Sequence, residues 1–286
     1  MYLEQVSESF LFHLQNVAYL SFSQDEDFED IISPFTRIYL ITEGTGLLVI
    51  GNKRITLEAG KIYMIPGFTS CSYHFGEGLS HYYIHFSIDQ PNGLNPYSFY
   101  SITSKIDGCD LDFWLFDRIL QINPGLQLPH HHPNVYQSKP WMNKKVDYHT
   151  AGMHLETIGI LKQLFSRFLE PGENFPITNI LKYNIQPILL HIRNNLRQNI
   201  TVDELASIAC LSKDHFSRIF KTITGLSPCD YIINKRIERA QFLLLTTDLS
   251  HSQIIDQTGF RSASYFSRIF KKQTSYTPAQ YRLQRG

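Results

Sequence analysis

Two hydrophobic periods divide the chain. From Arg37 to about Ile88, apolar and polar positions alternate in short runs, RIYLIT, GLLVIGNKRITL, KIYMIP and HYYIHFSI, rich in β-branched and aromatic residues. The separators EGTG, GN, EAG and PGFTS carry turn chemistry. Period two with one buried face predicts strands, and strands this short and evenly spaced predict a small β-barrel or sandwich. Gly44, Gly46, Gly51, Gly60 and Gly67 fall at its expected corners, where positive φ is open to glycine.

After Pro96 the apolar positions recur three and four apart. Residues 110–122 (DLDFWLFDRILQI) and 147–169 (DYHTAGMHLETIGILKQLFSRFL) therefore read as amphipathic helices. Prolines make QLPHHHPNVYQSKPW between them a loop, and PGENFPITN, 171–179, reads as a linker. Everything beyond has helical spacing. One helix covers Tyr183 to Arg197, with Pro187 acceptable only near its first turn. Thr201 and Glu204 form a capping box for the next. Ser212 caps a helix ending near Gly225, and Pro228 opens a long helix to Leu245. Further helices follow near Ser250–Gln257, from Ser262 to Gln273, and from Pro278.

The last quarter contains a repeat. Aligning 212–231 with 262–281 matches 10 of 20 positions, and FSRIFK occurs in both copies. On a helix, Phe216, Ile219 and Phe220 share one face, as do Phe266, Ile269 and Phe270, so these faces must be buried. Ser217, Arg218 and Lys221, with Ser267, Arg268 and Lys271, then point outward. Each copy is a short helix, a tight turn, and a second helix with an apolar back and a basic front. That is the helix-turn-helix arrangement, whose second helix enters a major groove. Two copies can occupy successive grooves about 34 Å apart, which accounts for building the surface twice.

Charge strengthens this reading. The chain of 286 residues is formally neutral, but 1–175 hold 11 Lys+Arg against 19 Asp+Glu, net −8, while 176–286 hold 15 against 7, net +8. A basic module that meets polyanions joined to an acidic one is expected, and the length suits two domains. Cys71, Cys109, Cys210 and Cys229 lack CxxC pairing and read as reduced packing residues of a cytoplasmic protein. MYLEQVSESF lacks the pattern of a signal peptide, and no run reaches the ~18 apolar residues of a membrane span.

Residues 183–286 resemble the DNA-binding domain of AraC/XylS-type transcriptional regulators, through TVDELASIACLSKDHFSRIFKTITGLSPCDYI, RIERAQFLL and TGFRSASYFSRIFKKQTSYTPAQYR. The resemblance implies base-facing positions at Lys213, Asp214, Ser217 and Arg218, then at Ala263, Ser264, Ser267 and Arg268. Ser212 and Ser262 join them at the helix starts. Lys221, Arg261, Lys271 and Lys272 would meet phosphates, which position without reading sequence. The sequence departs from the family pattern at three places. Cys210 stands where the first turn often has glycine, Ile255 where the second unit has a small alanine, and His251 where an apolar residue is usual.

EGTGLLVIGNKRITLEAGKIYMIPG resembles the cupin-type sensing domain that precedes this reader in many family members. The expected architecture is α+β and multidomain. A cupin-like β-barrel (jelly roll) with flanking helices spans 1–172, and an all-α domain of two helix-turn-helix units, about 183–228 and 229–286, lies within 173–286. Cupin metal enzymes carry an HxH and a following Glu on early strands, whereas Gly44 to Gly67 holds no histidine. His130, His131 and His132, beside prolines, read as a solvated triplet. No metal, cofactor or catalytic residue is expected. In HYYIHF, period two puts His81, Tyr83 and His85 on one face. By the family layout Glu43, Tyr73, His81 and Tyr83 line a pocket suited to a sugar or an aromatic effector. The stripe of 147–169 is the expected homodimer surface by the same layout.

The expected function is sequence-specific transcriptional regulation with double-stranded DNA, a small-molecule effector and RNA polymerase as partners. Two rivals are a ligand-independent regulator controlled by a protein partner, and a cupin metalloenzyme fused to a helical binding module.

Overall fold

The computed structural model of the chain describes residues 10–89, 100–128, 146, 148, 150–171 and 185–283. These fall into two compact units, one built mainly from 12–88 and 102–169, the other mainly from 170–281 with short stretches from 1–11 and 89–101. His130 to His132, most of the linker, and the predicted helix start at Tyr183 lie outside the described residues.

Along the first part run β1 (Leu11–Ser21), β2 (Glu26–Ile31), β3 (Thr36–Glu43), β4 (Thr45–Ile50), β5 (Lys53–Glu58), β6 (Lys61–Ile65), β7 (Cys71–Phe75) and β8 (Ser80–Asp89). The short strands β9 (Tyr100–Ile102) and β10 (Lys105–Asp107) follow, then α1 (Asp110–Ile122), α2 (Ala151–Ser166) and β11 (Leu169–Pro171). One sheet has the order β1-β8-β3-β6-β10, a second the order β2-β7-β4-β5, and β9 pairs with β11. Neighbours β3/β6, β3/β8, β6/β10, β2/β7, β4/β7 and β4/β5 are antiparallel.

The inner faces of both sheets share one core, with Phe22, Tyr39, Ile41, Tyr63 and Tyr83 from the first meeting Phe28, Leu48, Leu57, Tyr73 and Phe75. Strand β3 is buried on both faces from Thr36 to Ile41, and the apolar run Ile38–Ile41 reflects that. Its register sets Ile38 opposite Ile84 and Leu40 opposite Tyr82, on the face that α1 and α2 cover. There Phe86 and Phe12 pack against Phe165 of α2, and Tyr82 against Phe116 of α1. A two-pronged Arg118–Glu156 pair, at 2.6 and 3.0 Å, joins the two helices.

Helix α1 matches the predicted span, and α2 begins at Ala151 because Thr150 caps it, its hydroxyl accepting from the Met153 amide. Strands β1, β2 and β7 lie outside the predicted runs. Gly46 is not at a corner. It lies within β4, where a Cβ would come 2.6 Å from the carbonyl oxygen of His74.

The second unit is helical: α3 (Gln186–Asn194), α4 (Val202–Ile208), α5 (Lys213–Thr224), α6 (Pro228–Thr246), α7 (His251–Thr258), α8 (Ala263–Thr274) and α9 (Pro278–Leu283). Pro187 sits in the first turn of α3, as required. That helix ends at Asn194 rather than Arg197, because Asn195 turns its amide back on the His191 carbonyl. Thr201 and Glu204 form the predicted capping box, and Ser250 with Gln253 forms another in the second copy. Among the described residues, no helix is long and apolar enough to cross a membrane.

Candidate nucleic-acid interface and barrel cavity

The repeat folds twice into the same shape. In α5, Phe216 and Phe220 are buried, and in α8, Phe266 and Phe270 are buried. Phe220 packs on Tyr231 of α6, and Phe270 on Tyr281 of α9. Burying these backs fixes what faces outward. Position by position, Ser217 and Ser267 are half-buried, while Arg218 and Arg268, and Lys221 and Lys271, are exposed.

Of the other predicted contacts, Ser212, Lys213 and Asp214 are exposed at the start of α5, and Arg261, Ser262, Ala263 and Ser264 at the start of α8. Helix starts are the ends that reach base edges in helix-turn-helix complexes. Lys272 is exposed beside Lys271 in the last turn of α8. Local partners orient some of these groups. Lys213 is held 2.8 Å from Asp203 of α4, whose hydrogen bond and charge raise the lysine's pKa. Arg268 lies 5.5 Å over the Tyr265 ring. Ser262 is already a cap, its hydroxyl accepting from the Tyr265 amide.

Inside the first unit, Leu20, Phe22, Tyr39, His81, Tyr83 and His85 face Phe28, Tyr73 and Phe75 around a cavity of about 40 Å³. At that size it has room for about three water molecules. Predicted pocket residues Tyr73, His81 and Tyr83 are all in the wall. Glu43 is not. A register shift between Ile41 and Glu43 breaks the alternation that would carry it inward, and it is exposed at the end of β3.

The wall is aromatic, and its three tyrosine hydroxyls have partners. The Tyr39 and Tyr73 hydroxyls are 3.2 Å apart, and the Tyr83 hydroxyl accepts from the Leu128 amide at 2.8 Å. His81 lies against the stacked pair Phe22 and Phe75, with ring centroids at 5.7 and 5.4 Å, is 2% exposed, and has no hydrogen-bond partner at Nδ1 among the described residues. Burial pushes its pKa down to about 3, so its ring is neutral at pH 7. Burial, then the nearby Arg37 cation and His81, hold His85 well below its ordinary value too. Arg37 is itself buried on β3, donating to the Thr69 carbonyl.

Two family models match the chain. Residues 17–92 match an AraC-like ligand binding domain and residues 205–284 a helix-turn-helix domain. The chain belongs to the AraC family of transcriptional regulators.

The chain is similar to three further proteins along different shares of its length. The Msm operon regulatory protein of Streptococcus mutans is 24% identical, over 78% of this chain and 75% of that protein. The HTH-type transcriptional regulator YfiF of Bacillus subtilis is 36% identical, but over only 26% of this chain and 23% of its own length. The solved C-terminal domain of the response regulator yesN from Fusobacterium nucleatum is 36% identical, covers 35% of this chain and 97% of that one, with a TM-score of 0.34. In this AraC-family chain, sequence reasoning missed the cavity contributions of Phe22, Phe28, Tyr39 and Phe75. Period two in β3 contained the signal for Tyr39, because Tyr39 and Ile41 share a face.

Proposed function

We propose that this chain reads double-stranded DNA in two successive major grooves, through α5 and α8, and regulates transcription in response to a small molecule held in the barrel. The matched burial of α5 and α8 carries this reading, since two copies of one basic face in one helical unit suit two grooves of one duplex. Arg218 and Arg268 read bases, and Lys221, Lys271 and Lys272 bind phosphates. Residues 1–172 act as the sensing and dimerising domain, and 173–286 as the reader, in a cytoplasmic, non-enzymatic protein that works with RNA polymerase. Among the described residues, no group of three or more His, Cys, Asp or Glu could hold a metal ion. The stripe of 147–169 is not free for a dimer, because Leu161, Leu164, Phe165 and Phe168 are buried on their own domain, Phe165 against Phe12 and Phe86. For pairing, α1 and α2 instead offer the exposed Leu111, Trp114 and Leu155.

Selection of bound sequences from random DNA tests the reading. Two enriched elements about 10–10.5 base pairs apart per protomer are expected. Recovery of no preferred sequence would refute it.

The size of the cavity favours a second reading, control by a protein partner without an effector. About 40 Å³ is well below the roughly 300–1,000 Å³ of ordinary small-molecule sites. Titration of the purified protein with sugars and with small aromatic compounds, read as operator affinity, separates the two. A response lost in His81→Ala and Tyr83→Ala supports the sensor, and no response to any compound supports partner control.

A further inference from the structure

The two helix-turn-helix units are not equivalent in what their turns touch. The first turn, at Cys210, is exposed. In the second, the α carbon of Gly259 approaches the end of α3 so closely that an added Cβ would lie 2.2 Å from the Leu196 carbonyl oxygen and 2.9 Å from that of Arg197. The stretch Asn195–Gln198 is a tight turn, closed by the Gln198 amide donating to the Asn195 carbonyl at 2.8 Å. Three further elements converge on it. Arg197 pairs with Asp256 of α7. His191, one turn earlier, lies 2.8 Å from Glu204 of α4. From α6, Arg236 donates through Nε to the Leu196 carbonyl at 3.0 Å and through Nη2 to the Gln198 carbonyl at 2.7 Å.

We infer that Arg236 is a positioning residue, pinning the Asn195–Gln198 turn between the two helix-turn-helix units and so setting the spacing at which α5 and α8 meet DNA. The inference rests on the two-groove reading above. Helix α6 joins the units and also holds the second one directly, Gln241 donating to the Tyr281 hydroxyl at 2.8 Å and Gln273 of α8 donating to Asn234 at 2.5 Å. The turn adds a further element bonded to both units, and so fixes the angle that these contacts leave adjustable. The turn does this with its main chain. Its carbonyl oxygens accept from Arg236 on one side, and its backbone packs against the α carbon of Gly259 on the other. A guanidinium suits the task, since its planar fork reaches two carbonyls of one turn at once and stays charged. Lysine, with a single amine, can hold one carbonyl well but cannot fix the angle between two. The carbonyl oxygen of Leu196 sits at the meeting point, facing both Arg236 and Gly259. Loss of either contact therefore loosens the same joint.

The test uses the full chain and three kinds of duplex: both selected elements at their preferred spacing, both with the spacing changed by one to five base pairs, and one element alone. Wild-type affinity should peak at one spacing. Arg236→Met keeps the aliphatic stem and removes both donors. It should flatten the spacing profile and weaken the best two-element duplex by about tenfold or more, as linked binding loses its effective concentration, while single-element binding stays within about twofold. Arg236→Lys should fall between, and it supplies a readout if the methionine variant does not fold. A sharp wild-type-like profile in both variants would overturn the positioning role and leave the two-groove reading intact. Equal weakening of single-element and two-element duplexes would reduce Arg236 to a general stabilising residue and overturn the role too. A wild-type protein with no spacing dependence would overturn the two-groove reading and the pin with it.

Discussion

The ring of Phe270 meets that of Tyr281 edge-on, with centroids 5.2 Å apart and planes at 89°. Fifty positions earlier Phe220 meets Tyr231 at 5.3 Å and 84°. The duplication thus extends through the core, and α5 and α8 are each seated by their own aromatic pair. Phe270→Ala should cost about 3–5 kcal/mol, the usual range for a buried phenylalanine. The loss should be local: thermal unfolding should gain an early transition, and DNA protection should shrink to the patch of the first unit. One unchanged transition with both patches intact would show that Phe270 does not seat α8.

Arg218→Ala should weaken operator binding by about 1–3 kcal/mol and relax preference at one base position, as loss of a two-pronged base contact does. Lys221→Ala should weaken all sequences alike and shallow the dependence on salt. Affinity measured on a panel of single-base operator variants, at two salt concentrations, distinguishes them. If Arg218→Ala changed neither affinity nor preference, α5 would not be a recognition helix.

The two turn residues should respond in opposite directions. Cys210 has φ 55° and Gly259 has φ 76°, both in the left-handed region. Relieving the side chain's strain at 210 is worth about 1–2 kcal/mol, offset by the added freedom of glycine in the unfolded chain. Cys210→Gly should therefore stabilise by up to about 1 kcal/mol. Gly259→Ala adds a clash with a main-chain carbonyl and should destabilise by about 2 kcal/mol or more. Urea unfolding of each variant gives both signs. Equal and small effects would mean that the turn at Gly259 relaxes freely.

Acid should unfold the barrel through its buried histidines. His81 has a folded pKa of about 3 against an ordinary 6.5, so between those values the unfolded chain binds the extra proton. Stability is then complete above about pH 6.5 and falls by up to about 1.4 kcal/mol per pH unit for this group as pH drops toward 3. His81→Phe keeps a flat ring among Phe22 and Phe75 and should flatten that slope. Chemical unfolding at several pH values checks it, and an unchanged slope in the variant would place the acid sensitivity elsewhere.

What could be read from the sequence followed from local constraints. Helix α1 and the series from α4 to α9 announced themselves by spacing, caps and prolines, which act within one or two turns. The barrel was half legible. Strand β2, EDFEDI, has only Phe28 and Ile31 to bury, and its acidic remainder hides it until β7 pairs with it and His74 meets Asp27 across the strands at 2.9 Å. The family layout put Tyr73, His81 and Tyr83 on the wall, with alternation supporting only His81 and Tyr83, and it misplaced Glu43 where a register shift ends the alternation of β3. The joint at Leu196 left no local trace. Arg236 lies 40 positions from its acceptor, and neither residue alone departs from what an ordinary helix would carry.

Trp114 is 58% exposed on α1, a large ring left in water beside Leu111. It gives the chain a built-in optical reporter. Indole emission shifts to shorter wavelength when water leaves the ring, so pairing of two copies through this face should turn a red-shifted, readily quenched signal into a blue-shifted, protected one as protein concentration rises. The chain has one other tryptophan, Trp141, and the Trp114→Phe variant, carried through the same dilutions, would measure the contribution of Trp141 for subtraction. A dilution series of emission spectra would then yield the dimer's dissociation constant without any label, and a spectrum independent of concentration, alongside a dimer by sedimentation, would move the interface off this face.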